Sequence, residues 1–174
     1  MTSAAGPTPS RRKRGDDVLG DPLVRELLGA RLIANLATLD ADGTVHLVPM
    51  WFARDGRAIV LATGAASAKV RNLERDARAT VMLDDSRAGM DVCGVSLTGS
   101  IEIVRGGDAV PLVALVHRRY LSEAGLEAPA VRSFLASDDV ALRFTPERAV
   151  TWDERGSEAQ RALAEGGGAY PLRS

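Results

Sequence analysis

The stretch "RLIANLATLDADGTVHLVPMWFARDGRAIVLAT", residues 31–63, decides how this chain folds. Residues 31–40 and 44–53 read as two strands of a hairpin, with Asp42-Gly43 between them supplying the positive φ angles of a tight turn. "RDG", residues 54–56, makes a second turn into "RAIVLAT". Three strands therefore meander in a row without a helix between them, which points to an antiparallel β-fold.

Working outward, "DPLVRELLGA" before the meander reads as a short helix, with Asp21 as N-cap and Pro22 at the first helical position. After the meander, residues 67–76 read as a helix with Val70, Leu73 and Ala77 on one face. "RATVMLDD" returns as a strand. "DVCGVSLTGSIEIVRG", residues 91–106, is a long strand bent at Gly94 or Gly99, where a missing side chain permits a bulge. "GDAVPLVALVHRRYLSEAG" follows as a helix with Asp108 capping and Pro111 early. "APAVRSFLAS" is a shorter helix, and "DDVALRFTPERAVTWDE" closes the fold as two strands around a corner at Thr145-Pro146. The expected architecture is mainly β with helices: a small barrel of six to seven mostly antiparallel strands, with helices packed outside.

Composition sets the bounds. The chain has 174 residues, 45% hydrophobic and 26% charged, which suits one domain with a real core. Residues 1–16 read as a disordered tail, 17–155 as the domain, and 156–174, ending "EGGGAYPLRS", as a second flexible tail. A formal net charge of -1 and a pI of about 6.1 give no reason to expect nucleic acid. "RRKR", residues 11–14, is read as a solvated arm, with an anionic partner as the alternative. Cys93 is the single cysteine, so no internal disulfide forms and a reducing cytoplasm is expected, with a buried, inert thiol in mid-strand. No apolar run approaches the ~18 residues of a spanning helix, so no membrane partner is expected. Two histidines, His46 and His117, do not make a zinc site with one cysteine and no suitable acid spacing. His46 reads as a structural strand residue, with approach to a cofactor ring as the alternative.

Lysine is scarce: among 22 basic residues only Lys13 and Lys69 are lysines. Lys69 lies in "TGAASAKVRNLERD", at the start of a helix with Ser67 as N-cap. Helix N-termini carry unpaired N–H groups and partial positive charge, so carboxylates are favoured there. Here Lys69 and Arg71 fill the first turn and no acid appears until Glu74. A phosphate would reverse that unfavourable balance, taking the Ser67 hydroxyl, the Lys69 ammonium and free N–H groups, with Thr63 and Gly64 beside it. The alternative is a solvated helix start whose cations pair with Asp84 or Asp85. "HRRY", residues 117–120, reads as a solvated or dimer-facing stripe, or as a contact for an anionic cofactor tail. Trp152 reads as core or interface packing.

Taken together, "DG-x-x-H-x-x-P", "WF" and "T-x5-K-x-x-NL-x-RD", with the ending "LRFTPERAVTWD", resemble the FMN-binding split β-barrel superfamily. The resemblance is to its pyridoxamine 5'-phosphate oxidase-like and deazaflavin (F-420)-dependent branches, and it spans most of residues 32–153. It implies a homodimer that holds FMN or F-420 between subunits and moves hydride to or from a small organic substrate. It further implies that Val48, Pro49, Met50 and Trp51 lie along the ring. Leu61, Ala62 and Thr63 would run beside the ribityl chain, Ser67 and Lys69 would hold the phosphate, and Asn72 would support that turn. In this family a residue such as Trp152 can also cover the cofactor. No catalytic side chain is assigned. Two departures stand against vitamin B6 oxidation: the oxidases' "R-x-V-L-L-K" strand reads "RAIVLAT" here, and their Arg-His-rich ending reads "PERAVTWDERG". The "K-x-x-NL-x-RD" stretch resembles the deazaflavin branch more closely. The competing reading is a non-catalytic carrier of flavin, haem or tetrapyrrole.

Overall fold

The two strands at opposite ends of the sheet are consecutive in the chain, and this one fact gives the molecule its shape. The computed structural model describes residues 11–15, 18–86, 91–129, 131–132 and 138–166. Its strands are β1 (Arg11–Arg14), β2 (Ala34–Leu39), β3 (Val45–Met50), β4 (Phe52–Asp55), β5 (Ala58–Gly64), β6 (Arg78–Asp84), β7 (Cys93–Val104) and β8 (Asp139–Asp153). Hydrogen bonding runs in the order β3-β2-β6-β7-β8-β5-β4, with β1 added on β8. All pairings are antiparallel. β3 and β4 are therefore the two ends of the path, yet only Trp51 separates them. The sheet must curl until its edges meet at that residue, which makes a split barrel with an unpaired seam between β3 and β4.

Local chemistry explains the pieces. α1 (Pro22–Gly29) begins where Asp21 accepts from the N–H groups of Leu23 and Val24, at 2.8 and 3.2 Å. The β2–β3 turn uses Gly43 at φ 86°; no non-glycine residue among those described takes a positive φ, so Asp42 instead accepts from Thr44 N–H at 2.9 Å. α2 (Ala68–Arg75) buries Val70, Asn72 and Leu73, whereas Ala77 lies beyond the helix and is exposed. α3 (Ala109–Tyr120) and α4 (Glu123–Glu127) replace the single helix expected there, with a break at Leu121–Ser122. Asp108 makes no side-chain cap, because a short 3-10 turn at Gly106–Asp108 already leads into α3. The helix expected at residues 128–137 falls largely outside the described residues.

β8 is one strand of 15 residues, not two around a corner. One edge pairs with β7 throughout; the other pairs first with β5, up to Phe144, and then with β1, from Arg148. Pro146 sits in the gap between those two partners, where its missing N–H breaks no ladder bond. Opposite it the β7 register shifts between Thr98 and Gly99. A Cβ at Gly99 would lie 2.0 Å from the Thr145 carbonyl oxygen, so the bulge closes only over glycine.

Two tail assignments need correction. Residues 11–14, counted with the disordered N-terminal tail, form β1, because β8 offers them an open edge; Lys13 also pairs with the buried Asp21 at 2.9 Å. Glu158–Glu165, counted with the C-terminal tail, forms α5, capped by Ser157, which accepts from Gln160 N–H at 3.1 Å. The core fills the barrel with Phe52, Ile59, Leu61, Leu83, Leu97, Leu142 and Phe144, all buried, together with Leu27 and Leu28 of α1. A smaller apolar layer, including Val60, Ala141 and Val116, lies between the sheet and α3. Cys93 is buried in the main core, where burial pushes its thiol up to about 11, and it is inert as expected.

Candidate functional site

The seam opens into a cleft of about 470 Å³ lined by Pro49, Met50, Trp51, Ala62, Thr63, Gly64, Val116, His117 and Asp139. β3 and the seam provide one wall, the end of β5 the floor, and α3 the other wall. Gly64 pairs with Asp139 across β5 and β8, which brings that carboxylate to the cleft beside Thr63.

Trp51 is held in place. Its ring stacks on Tyr120 with centroids 4.9 Å apart and planes 8° apart, and it meets His117 edge-on at 6.3 Å. Tyr120 is fixed in turn: its hydroxyl donates to the Leu32 carbonyl at 2.6 Å and accepts from Phe52 N–H at 3.4 Å. Next to it Arg119 donates to the carbonyls of Leu28 and Ala30, and its guanidinium lies 4.6 Å from the centre of the Phe52 ring. The "HRRY" stretch is thus not a solvated stripe. His117 is buried, Arg119 and Tyr120 bind α3 to α1 and to the seam, and only Arg118 is exposed.

At the far end of the cleft, Lys69 Nζ donates to Thr63 Oγ1 at 3.0 Å, and that hydroxyl lies 3.4 Å from Ser67 Oγ. Ser67 occupies the N-cap position, yet its hydroxyl caps no backbone N–H. Among the described residues no carboxylate pairs with Lys69; neither Asp84 nor Asp85 reaches it. Burial lowers the proton affinity of the half-buried ammonium, and nothing opposes that shift. A partly desolvated cation, a Ser67 hydroxyl that caps no backbone N–H and a helix start without acids suit a phosphate. Arg71 turns away and donates to the Ala66 carbonyl at 2.6 Å.

The sequence-derived residues divide accordingly. Pro49, Met50, Trp51, Ala62 and Thr63 line the cleft, and Ser67 and Lys69 adjoin it through Thr63. Leu61 is fully buried in the barrel core, so only its backbone can reach a ligand, and the Val48 side chain packs against that core. Asn72 does not face the Ser67 turn. Its amide donates to Thr38 Oγ1 at 3.2 Å and to Asp40 Oδ1 at 2.7 Å, which ties α2 to β2. His46 does not line the cleft, and Trp152 lies against Gly94, where a Cβ would come within 2.3 Å of its ring. Gly64 is the residue expected beside the phosphate and His117 belongs to the stretch offered to an anionic cofactor tail, but Val116 and Asp139 went unanticipated. Their approach depends on pairing β5 with β8, about 75 residues apart, and on how α3 folds back, neither of which leaves a local motif.

A family model described as pyridoxamine 5'-phosphate oxidase matches residues 21–153, and the chain belongs to that family. A conserved hypothetical protein of Mycobacterium tuberculosis has a similar structure, with a TM-score of 0.66 and 28% identity over 93% of this chain and 96% of that one. An F-420 reductase is similar at a TM-score of 0.56 and 26% identity, covering 72% of this chain and 94% of its own. The haem storage protein of Vibrio cholerae shares the fold at a TM-score of 0.60 and 17% identity, covering 75% and 94%. No curated protein matches. Among the described residues no helix is long and apolar enough to cross a membrane.

Proposed function

We propose that this protein is an oxidoreductase that binds F-420, with FMN as the competing cofactor, in the seam cleft of a homodimer. The observation that carries the reading is the half-buried Lys69, bonded to the neutral Thr63 hydroxyl and to no carboxylate among the described residues, at one end of a cleft walled by Pro49, Met50 and Trp51. When bound, the cofactor supplies two-electron hydride chemistry. The chain's own task is to place it: Lys69, Ser67 and the α2 N–H groups take the phosphate, Thr63 and Ala62 border the ribityl chain, and Pro49–Trp51 flank the ring. The fixed Trp51–Tyr120 stack keeps that wall rigid and excludes water.

The edge strand β3 supports the dimer reading. Val45 and Leu47 are both 60% exposed and point the same way as Pro49, so an apolar stripe runs from the edge strand to the mouth of the cleft. A second subunit seated there would cover the stripe and complete the cleft. A reducing cytoplasmic setting suits the buried Cys93.

The preference for F-420 rests on "K-x-x-NL-x-RD" and on the likeness to an F-420 reductase. Titrating cofactor-free protein with both molecules at low and moderate salt tests it. F-420 should bind more tightly and lose affinity with salt through its acidic tail; tighter FMN binding would reverse the assignment. A haem carrier is the second reading, favoured by the imidazole of His117 in the cleft and by the haem storage protein that shares the fold. A Soret band lost in His117→Ala would establish it.

A further inference from the structure

A second chamber, of about 290 Å³, lies between α3, α4 and the first residue of β8. Its walls are Val110, Val113, Ala114 and Leu126; its polar groups are His117, Arg118 and Asp139. His117 and Asp139 also line the cofactor cleft, so the two spaces share one boundary. The cofactor reading leaves this chamber without an occupant. A cavity of about 150 Å³ lined by apolar side chains accepts benzene, so this one has room for a substituted ring. Two of its three polar groups, His117 and Asp139, stand at the boundary, as in a site that orients one end of an apolar ligand, while the exposed Arg118 lines the chamber alone.

His117 is set rigidly at that boundary. α3 fixes its backbone, and the Trp51 ring, itself stacked on Tyr120, stands edge-on to the imidazole. Asp139 approaches from β8, and Arg118 is the neighbouring charge on its own helix. Burial holds the proton affinity of the imidazole below its ordinary value and Asp139 offsets this only in part, so the charged form is the minor one and His117 must take up its proton from water before each turnover.

We propose that this chamber admits the substrate, a compact apolar aldehyde or ketone, and that His117 protonates its oxygen while the carbonyl carbon takes hydride from the cofactor in the cleft. The proposal rests on the oxidoreductase reading above. As the C–H bond forms, the carbonyl π pair moves to oxygen; the imidazolium N–H bond breaks and an O–H bond forms. The substrate gains two electrons, the reduced deazaflavin or flavin loses two, and water restores the proton to His117. Arg118 adds positive charge near the oxygen where negative charge develops.

Benzaldehyde is a suitable probe. Ligand-observed NMR on cofactor-free protein should show it bound. Ala114→Phe should weaken that binding by roughly tenfold or more, and so should Val110→Phe, whose added bulk enters from an exposed position and strains the fold less. Both variants should keep F-420 affinity within about twofold of wild type. His117→Gln should bind benzaldehyde and F-420 nearly as wild type does, yet slow single-turnover reduction by about 100-fold or more and flatten its pH profile. Benzaldehyde that fails to bind wild type, or binds both filled variants equally well, would overturn the chamber. So would filled variants that lose F-420 and FMN, because the space would then belong to the cofactor. An unaltered rate in His117→Gln would overturn the proton step. Wild-type protein that binds benzaldehyde but neither F-420 nor FMN would overturn the oxidoreductase reading and the hydride step, and would leave the chamber confirmed as a ligand site.

Discussion

Asn72 and Lys69 stand three residues apart on α2, and they differ in whether the protein satisfies them. Asn72 is buried and its amide reaches both Thr38 and Asp40, so the helix is fastened to β2 by bonds that leave little unspent. Lys69 is half-buried with one neutral hydroxyl as its partner. Buried polar groups that are fully bonded belong to the scaffold; those that the fold desolvates and leaves short of partners await something.

The largest effect expected from this contrast is on binding. Lys69→Ala should weaken cofactor affinity by about 1.5–3 kcal/mol, the range for a charged hydrogen bond, with the fold intact. Calorimetric titration reads it; equal affinities would erase the difference between the two residues. Asn72→Leu should do the reverse, costing about 1–3 kcal/mol in urea unfolding because Thr38 and Asp40 lose their donor. If its cofactor affinity fell as far as that of Lys69→Ala, Asn72 would belong to the site after all.

A smaller effect sharpens the point. Lys69→Met should raise the stability of the cofactor-free protein by up to about 1 kcal/mol, since an incompletely paired cation is replaced by an apolar chain of similar length. The pH dependence has a definite sign. The folded-state pKa of Lys69 lies below its ordinary 10.5, so the unfolded chain binds more protons between those two values. Stability in the alkaline range up to 10.5 should therefore rise with pH by a contribution that Lys69→Met lacks. Thermal melts of both proteins across that range would detect it. The smallest effect belongs to Arg71, exposed at the start of α2. Arg71→Ala should cost F-420 affinity about 0.5 kcal/mol at low salt, less at moderate salt, and leave FMN untouched.

Much of this arrangement was legible in the residues. Asp21-Pro22 marks α1 and Gly43 marks the first turn because each meets a purely local demand: a cap or a positive φ. Lys69 stands out for the same reason, since a cation in a first turn is unfavourable wherever the helix lies. What escaped notice depends on distant partners. "RRKR" has no intrinsic reason to be a strand and becomes one because β8 presents an edge beyond Phe144. Pro146 signals a corner, yet β8 continues as one strand through it, because Pro146 lies between the β5 and β1 pairings on one edge and opposite the β7 bulge on the other. The commitment of Asn72 to β2 and the meeting of His117 with Asp139 likewise arise from packing that no spacing records.

The seam also orders events in time. β2, β3, β6 and β7 form one connected group by pairing with one another, and β4 and β5 form a second; among the pairings, β8 alone joins them. Among the described residues it is the last strand, and it receives β1, the first. Until residues 139–153 are available, no strand pairing joins the two groups, which meet only through the chain links at Trp51 and residues 65–77 and through α3, and the cleft lacks Asp139. Such long-range closure is slow compared with hairpin formation. A ribosome-bound chain stopped before β8 would carry the whole Pro49–Trp51 and Thr63–Lys69 sequence and still lack the strand that pairs with β5 beneath the cleft. The cofactor capture proposed above should therefore be completed late in biosynthesis, with the docking of a single strand.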